Sequence, residues 1–565
     1  MYMKQNIKIY LYNLLMAMLL LPAVSCRDFL DTSSDQIAFE NENQIKNPND
    51  LFYAIAGILA EAQKTGDGYV FWGELRGDLM TTSDDASLSL KEINNFEVSS
   101  DNALAGKRNF YNVINQCNYA LHKIDTSKVD QNQKVMLPGY VEIKVIRAWT
   151  YFQMAQIFGK AAYFENPILD LESSLKDYPV LPMDDIADKL IADLSPYQNV
   201  VSPSSTQSPN SFVPVQVMLA DLYLYQNSYA QAARLYYNYM VGNSVVVASD
   251  YTSRWTSNAF DDATNGHRES YQGEAIASIL YNTDPRELHS QLVGLSYNDK
   301  PALLPTQSYI NSMSLASYFY TDKLGNAILA TTEGDLRGRV FLPKQNVQYG
   351  DAYSTEKFSN NTSKSLIYKY FYKATESNAG SDPNNGFITK KLVYLTRMPV
   401  FRIPHLYLRY AEAVNRTGKP TLAFAALKYG LTNANLKTPS MVNPSELAGN
   451  EAYLNFSNSV FDQNMPMAAR GRGLGIPKDT KNFVIPDFTA SATAHQDSID
   501  WVEDRILDEM AAETPFEGNR FFDLLRVSRR RPNHPAYMAE KVSGKYNDPV
   551  SMKAKLSDIN AWFVK

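Results

Sequence analysis

Cysteine is nearly absent from this chain: Cys26 and Cys117 are the only two in 565 residues, so a disulfide framework is excluded once either is otherwise engaged. Histidine is scarce as well. The six are His122, His267, His289, His405, His495 and His534, and no two stand at the spacing of a metal-binding helix, which argues against a zinc site. A basic excess is missing, with 54 Lys and Arg against 60 Asp and Glu and a formal charge of -6. Phosphate binding wants a positive field, so nucleic acid is not expected as a partner, and the run Arg529-Arg530-Arg531 reads as a solvated helix end. No serine-hydrolase elbow occurs, because Gly294-Leu295-Ser296-Tyr297-Asn298 lacks the closing glycine. Gly471-Arg472-Gly473-Leu474-Gly475 lacks the Gly-Lys-Ser/Thr ending of a phosphate loop and reads as a turn. Asp84-Asp85 and Asp261-Asp262 make no EF-hand loop and read as solvated acidic loops, and no metal or cofactor is expected. A pair of carboxylates at the right separation could still hydrolyse a glycoside, and the residues alone leave that open.

One apolar run is present, at the start. Lys4 and Lys8 make a positive n-region, residues 9–21 a mostly apolar stretch, and Pro22-Ala23-Val24-Ser25 a small-residue exit that ends at Cys26. The run is too short, and too interrupted by Tyr10, Tyr12 and Asn13, for a span that needs about 20 apolar residues. It reads as a secretory signal over 1–25 with a lipobox-like end, although Ala23 stands where such signals more often carry Leu. The mature chain then begins at an acylated Cys26, and lipid holds it to a membrane. Cys117 lies at helical spacing with Val113, Ile114, Ala120 and Leu121 and reads as a small core residue.

The rest of the chain is punctuated by helices that begin cleanly and pair with a neighbour. Over Lys134 to Gly159, apolar residues recur every three or four positions until Gly159 stops the pattern. Pro214 opens a second helix, a turn at Asn227-Ser228 follows, and YAQAARLYYNYM returns. A third pair starts at Pro404, closes at Gly418 and reopens at Pro420, and a fourth covers Asp500 to Ala512 with a partner from Phe516 to Arg529. Each resembles a tetratricopeptide-type unit, yet the starts near 137, 214, 404 and 501 are too uneven for a plain tandem array. Residues 241–400, rich in Tyr, Asn, Ser, Asp and Gly, read as loops with brief strands such as 274–279 and 391–395. Residues 435–500 are broken by five prolines.

Several segments together resemble the SusD/RagB outer-membrane lipoproteins. They are Cys26-Arg27-Asp28-Phe29-Leu30-Asp31, Arg147-Ala148-Trp149-Thr150-Tyr151-Phe152 with Phe158-Gly159, and Leu304-Pro305-Thr306-Gln307 followed by Asp335-Leu336-Arg337. The others are Leu406-Tyr407-Leu408-Arg409-Tyr410-Ala411-Glu412-Ala413 and Glu517-Gly518-Asn519-Arg520-Phe521-Phe522-Asp523-Leu524-Leu525-Arg526. The resemblance spans nearly the whole chain. It implies a mainly α fold: about four tetratricopeptide-like helix pairs, with an inserted loop-rich lobe containing short strands. The pieces are a signal over 1–25, a helical region over 26–240, the variable lobe over 241–400 and a C-terminal region over 401–565. It also implies a non-catalytic lipoprotein of the outer membrane, facing outward, that passes oligosaccharide to a SusC-like TonB-dependent transporter. The peptide-binding RagB branch is the alternative, and a surface glycosidase or a protein-binding scaffold the more distant ones.

Family ligand contacts come from loops, and two regions here have the composition for sugar recognition: aromatic faces to stack on a pyranose and polar groups to bond its hydroxyls. The first holds Trp72, Arg76, Asp78, Thr81, Asp84 and Asp85, although Trp72 and Leu75 are also at helical core spacing. The second runs from Asp250 to Asp299 and holds Trp255, Tyr297 and Asn298. Trp255 sits in polar surroundings with no apolar periodicity, as either a ligand platform or the core of a folded loop. Trp149 and Trp501 lie within helix patterns and read as packing.

Overall fold

The computed structural model describes residues 45–201, 212–247, 274–281, 289–296, 300–315, 318–321, 327–330, 335, 337, 366–367, 369–377, 388–394, 397–468 and 483–565. The first helix, α1 (Pro48–Glu74), is opened by a capping box in which Asn47 accepts from the Asn49 and Asp50 amides and Asp50 accepts in return. This helix was not legible as one, because Gly57, Gly66, Gly68 and Gly73 lower its intrinsic propensity. Two of those glycines are there for closeness: a Cβ on Gly66 would lie 2.1 Å from the Tyr281 hydroxyl, and one on Gly73 would lie 1.8 Å from the Gly518 carbonyl oxygen.

The expected helix pairs are all present. α3 (Arg108–Lys123) packs on α4 (Leu137–Phe158), which ends at Gly159 with φ +71°. Cys117 is buried in α3, and burial pushes its thiol up to about 12, as befits an inert core residue. α6 (Val215–Tyr225) and α7 (Tyr229–Gly242) form the second pair, with Asn227 at φ +60° in the turn between them. α9 (Ile403–Arg416) and α10 (Pro420–Lys428) form the third, each with proline in its first turn. α11 (Ala494–Glu513) and α12 (Arg520–Arg530) form the fourth. Its partner helix begins later than Phe516, because Phe516 and Gly518, at φ +64° and +87°, make the turn. α5 (Met183–Leu194) bridges the first two pairs, packing on both α4 and α6. Further contacts run from α7 to α9, from α9 to α11, and from α12 back to α1. The last helix of the scaffold therefore rests against the first. No helix among the described residues is long and apolar enough to cross a membrane.

Smaller elements hang on this frame. β1 (Met80–Thr82) follows α1, α2 (Leu88–Asn94) follows it, and β2 (Lys160–Ala162) pairs antiparallel with β3 (Val180–Pro182). The strands expected in the lobe are found as two-stranded antiparallel ladders. β4 (Ala275–Leu280) pairs with β10 (Arg397–Arg402), β6 (Tyr318–Thr321) with β7 (Ala327–Ala330), and β8 (Phe371–Ser377) with β9 (Ile388–Tyr394). β5 (Leu303–Pro305) pairs with β1, and α8 (Gln307–Leu315) follows it. The proline-broken stretch after α10 forms only short helical turns, such as Pro444–Leu447 and Ala452–Leu454. Beyond α12 the chain closes with α13 (Ala536–Ser543) and α14 (Pro549–Leu556).

Tyr410, in the middle of α9, is fully buried, and its hydroxyl donates to the Tyr453 carbonyl at 2.6 Å. Tyr410→Asp places a carboxylate in that apolar setting and is expected to cost several kcal/mol, whereas Tyr410→Phe costs about 1 kcal/mol. Thermal denaturation checks the order, and an unchanged melting temperature for Tyr410→Asp contradicts the packing described.

Candidate functional site

The segment Trp72 to Asp78, expected as a ligand-binding loop, is the end of α1 and the turn after it, and it is clasped by Gly518 to Arg526. Gly518 needs its left-handed φ and has no room for a side chain, since a Cβ there would lie 2.6 Å from the Tyr69 ring. Glu74 Oε1 accepts from the amides of Gly518 and Asn519 at 2.8 and 3.2 Å, placing its carboxyl at the start of α12. Tyr69 donates to Asn519 Oδ1 at 2.7 Å, and the same side-chain amide meets His405 Nε2 at 3.1 Å. Arg520 grips Asp78 with two parallel bonds of 2.6 and 2.8 Å. Gly77 makes room for that arginine, with the Arg520 Cγ 2.9 Å from where a Cβ would stand.

Three expected ligand contacts are corrected by this packing. Trp72 is 1% exposed and packs on Phe158, so its ring has no free face. Arg76 is 1% exposed, with Phe521 4.1 Å and Phe96 5.0 Å from its guanidinium carbon. Asp78 is committed to Arg520. The polar and aromatic mixture that resembles a sugar site on paper is here the inside of a joint.

Around the joint lies a buried ion network. Arg402 donates to Glu517 at 2.9 and 2.7 Å and to Glu274 at 2.9 Å, while Lys369 pairs with Glu517 from another side. Arg337 holds Asp335 at 2.7 Å, Glu509 at 2.6 Å and Glu513 at 2.9 Å. Arg526 makes two bonds of 2.9 and 2.7 Å to Glu412 and one of 2.8 Å to Asp523. Burial alone would raise Glu412 and Glu517, but the facing cations win: Arg526 and Arg530 hold Glu412 down to about 2, and Arg402 with Lys369 hold Glu517 below the usual carboxylate range. Glu74 has only backbone amides as close partners, so burial dominates and pushes it up to about 8. His405 is driven well below its ordinary value by burial and by Arg409 and Arg402, and is neutral.

Of the first region, Asp84 and Asp85 are exposed and Thr81 is half-buried. β1 pairs with β5 so that Thr81 lies opposite Leu304, and the Ser83 amide donates to the Ala302 carbonyl at 3.0 Å. Lys300 Nζ stands 4.0 Å from Asp85 Oδ1. The ladder thus brings the residues that follow Tyr297 and Asn298 in sequence against the acidic turn at 84–85. Tyr297, Asn298, Trp255 and Cys26 themselves lie outside the described residues. A separate small cavity of about 40 Å³ lies where α1, α4, α6, α9 and α12 meet, with Trp149, Phe152 and Tyr225 on its walls and Arg409 and Asp221 among its polar groups. Its rings make edge-to-face contacts within the scaffold, such as Phe152 with Tyr225 at 5.2 Å.

A frame of helix pairs closed by a buried ionic joint, with short strands hung between the pairs, defines a helical-repeat scaffold that carries insertions. No family model matches the chain. A SusD-like protein of Formosa agariphila, P38, is 21% identical over 518 residues, covering 89% of this chain and 88% of that protein. Among solved structures, a SusD superfamily protein from Bacteroides vulgatus superposes with a TM-score of 0.59 at 16% identity, over 92% of this chain and 95% of that one. Surface glycan-binding protein A from Bacteroides fluxus gives 0.53 at 15% identity, over 88% and 91%. The sequence match to a SusD-like protein runs end to end, and the fold is shared with SusD superfamily structures.

The Glu74 carboxyl supplies a pH test. Its folded value near 8 lies above the ordinary 4.5, so between those values the folded chain keeps a proton that the unfolded chain releases, and stability falls as pH rises through that window. Glu74→Gln keeps the accepting oxygen and removes the titration. Its melting temperature relative to wild type is expected to climb from pH 5 to pH 8, at up to about 1.4 kcal/mol per pH unit. A difference that does not change with pH contradicts the assignment.

Proposed function

We propose that the protein is a surface-exposed outer-membrane lipoprotein, anchored through an acylated Cys26, that binds oligosaccharides or polysaccharide fragments and delivers them to a SusC-like TonB-dependent transporter. The observation that carries this reading is the end-to-end match to a SusD-like protein together with the SusD fold. A structural neighbour of the same fold is named a surface glycan-binding protein, which supports a glycan as the ligand. The signal and Cys26 at the start of the chain support lipid anchoring.

The protein works by binding and not by catalysis. Among the described residues, Glu74, Glu274, Glu412, Glu513 and Glu517 are buried and held by arginine, lysine or backbone amides. Ligand contact falls instead to the turn at Thr81, Asp84 and Asp85, and to Trp255, Tyr297 and Asn298. Of these, Trp255 supplies the flat apolar face that stacks on a sugar ring.

Affinity electrophoresis in gels containing individual polysaccharides tests the proposal: migration is retarded by at least one glycan, and no new reducing ends appear. Trp255→Ala is expected to weaken that binding about 5- to 150-fold, the equivalent of about 1 to 3 kcal/mol, with the melting temperature near wild type. Release of reducing ends, or retention of peptides and no glycan, contradicts the proposal. A Trp255→Ala variant that melts lower and binds normally removes that ring from the site.

A further inference from the structure

Arg76 differs from the other buried arginines of the described residues. Arg147, Arg337, Arg402, Arg409, Arg520, Arg526 and Arg531 each reach a carboxylate. Arg76 reaches none, and its Nη1 is buried without a hydrogen-bond partner. The cation is held only by aromatic faces, those of Phe521 and Phe96. An unpaired buried charge is costly, and a guanidinium covered on its faces keeps only its N–H edge for hydrogen bonding.

Beside Arg76 is a pocket of about 740 Å³, solvent at its mouth included, walled by Phe96, Val98 and Phe563 with Lys555 and Lys565 at its rim. Of the acidic groups in its lining, Glu97 meets Lys555 at 2.8 Å, and Asp558 accepts from the Asn560 amide at 3.0 Å. The lining of the pocket therefore includes one buried guanidinium that reaches no carboxylate, beside the apolar side chains of Phe96, Val98 and Phe563. A planar carboxylate matches the guanidinium fork with two parallel hydrogen bonds.

We propose that Arg76 anchors a binding pocket for a small carboxylate, either a free organic acid or the carboxylate of an acidic sugar. The proposal does not rest on glycan binding through the loops, because it uses neither the turn at 81–85 nor Trp255. The sequence placed Arg76 among groups that bond sugar hydroxyls. The partner chemistry proposed for it is instead that of an anion.

The test titrates the full chain with sodium acetate and with sodium glucuronate, against sodium chloride at equal ionic strength. The wild-type melting temperature is expected to rise saturably with acetate, Arg76→Met to show no such rise, and Arg76→Lys, which keeps charge without the fork, to need at least 10-fold more acetate. A matching response to glucuronate assigns the site to sugar-borne carboxylates as well, and a response to acetate alone assigns it to free acids. Should Arg76→Met fail to fold, the Arg76 Nε–H resonance of the wild type serves in its place, expected to shift saturably with acetate and not with chloride. No saturable response in the wild type, or an undiminished one in Arg76→Met, overturns the proposal.

Discussion

The fold depends on a contact between two glycines separated by most of the chain. Gly73, near the end of α1, lies so close to the Gly518 carbonyl that any side chain at position 73 would overlap it, and Gly518 in turn lies against the Tyr69 ring. This approach lets Glu74 reach the first amides of α12 and lets Arg520 close on Asp78. The first and last helices of the scaffold are thereby fastened to each other, and the pairs between them are held in a closed arrangement.

The ions around this contact have a specific thermodynamic character. Taking Arg337, Arg402, Arg526 and their carboxylates out of water is expensive, and the close, often two-pronged geometry offsets that cost. Removing one partner strands the other and costs roughly 3–5 kcal/mol, so these residues are constrained as sets. Glu517, for example, answers to Arg402 and Lys369 at once. Thr306 donates to the Asp78 carbonyl at 2.7 Å, and Arg337 spans α11, so the lobe is tied to the same joint. A rigid frame of this kind leaves the intervening loops free to vary.

Much of this frame was legible in the residues. Proline at the start and glycine at the end of α9, and the regular apolar spacing of α4, mark helices by local rules that need no tertiary knowledge. Three of the segments that carried the family resemblance proved to hold joint residues: Arg409 and Glu412, Asp335 and Arg337, and the run from Glu517 to Arg526. The site was harder. Trp72, Arg76 and Asp78 have the composition of a sugar-binding loop because a buried ionic joint and a polar binding surface use the same side chains. What distinguishes them is the partner segment more than 400 residues away. A hint was present in the glycines of both runs and in one pair of opposite charges, Asp78 and Arg520. Reading it requires knowing that α1 and α12 touch.

Native-state hydrogen exchange at the Gly518 and Asn519 amides tests the joint most directly, since both donate to the Glu74 carboxyl in the interior. They are expected to exchange only through global unfolding, at the rate of the slowest core amides of α4 and α9, while the Asp84 and Asp85 amides exchange early. Exchange of Gly518 and Asn519 on the timescale of that exposed turn would show that the joint opens locally, and would contradict its role as the closure of the scaffold.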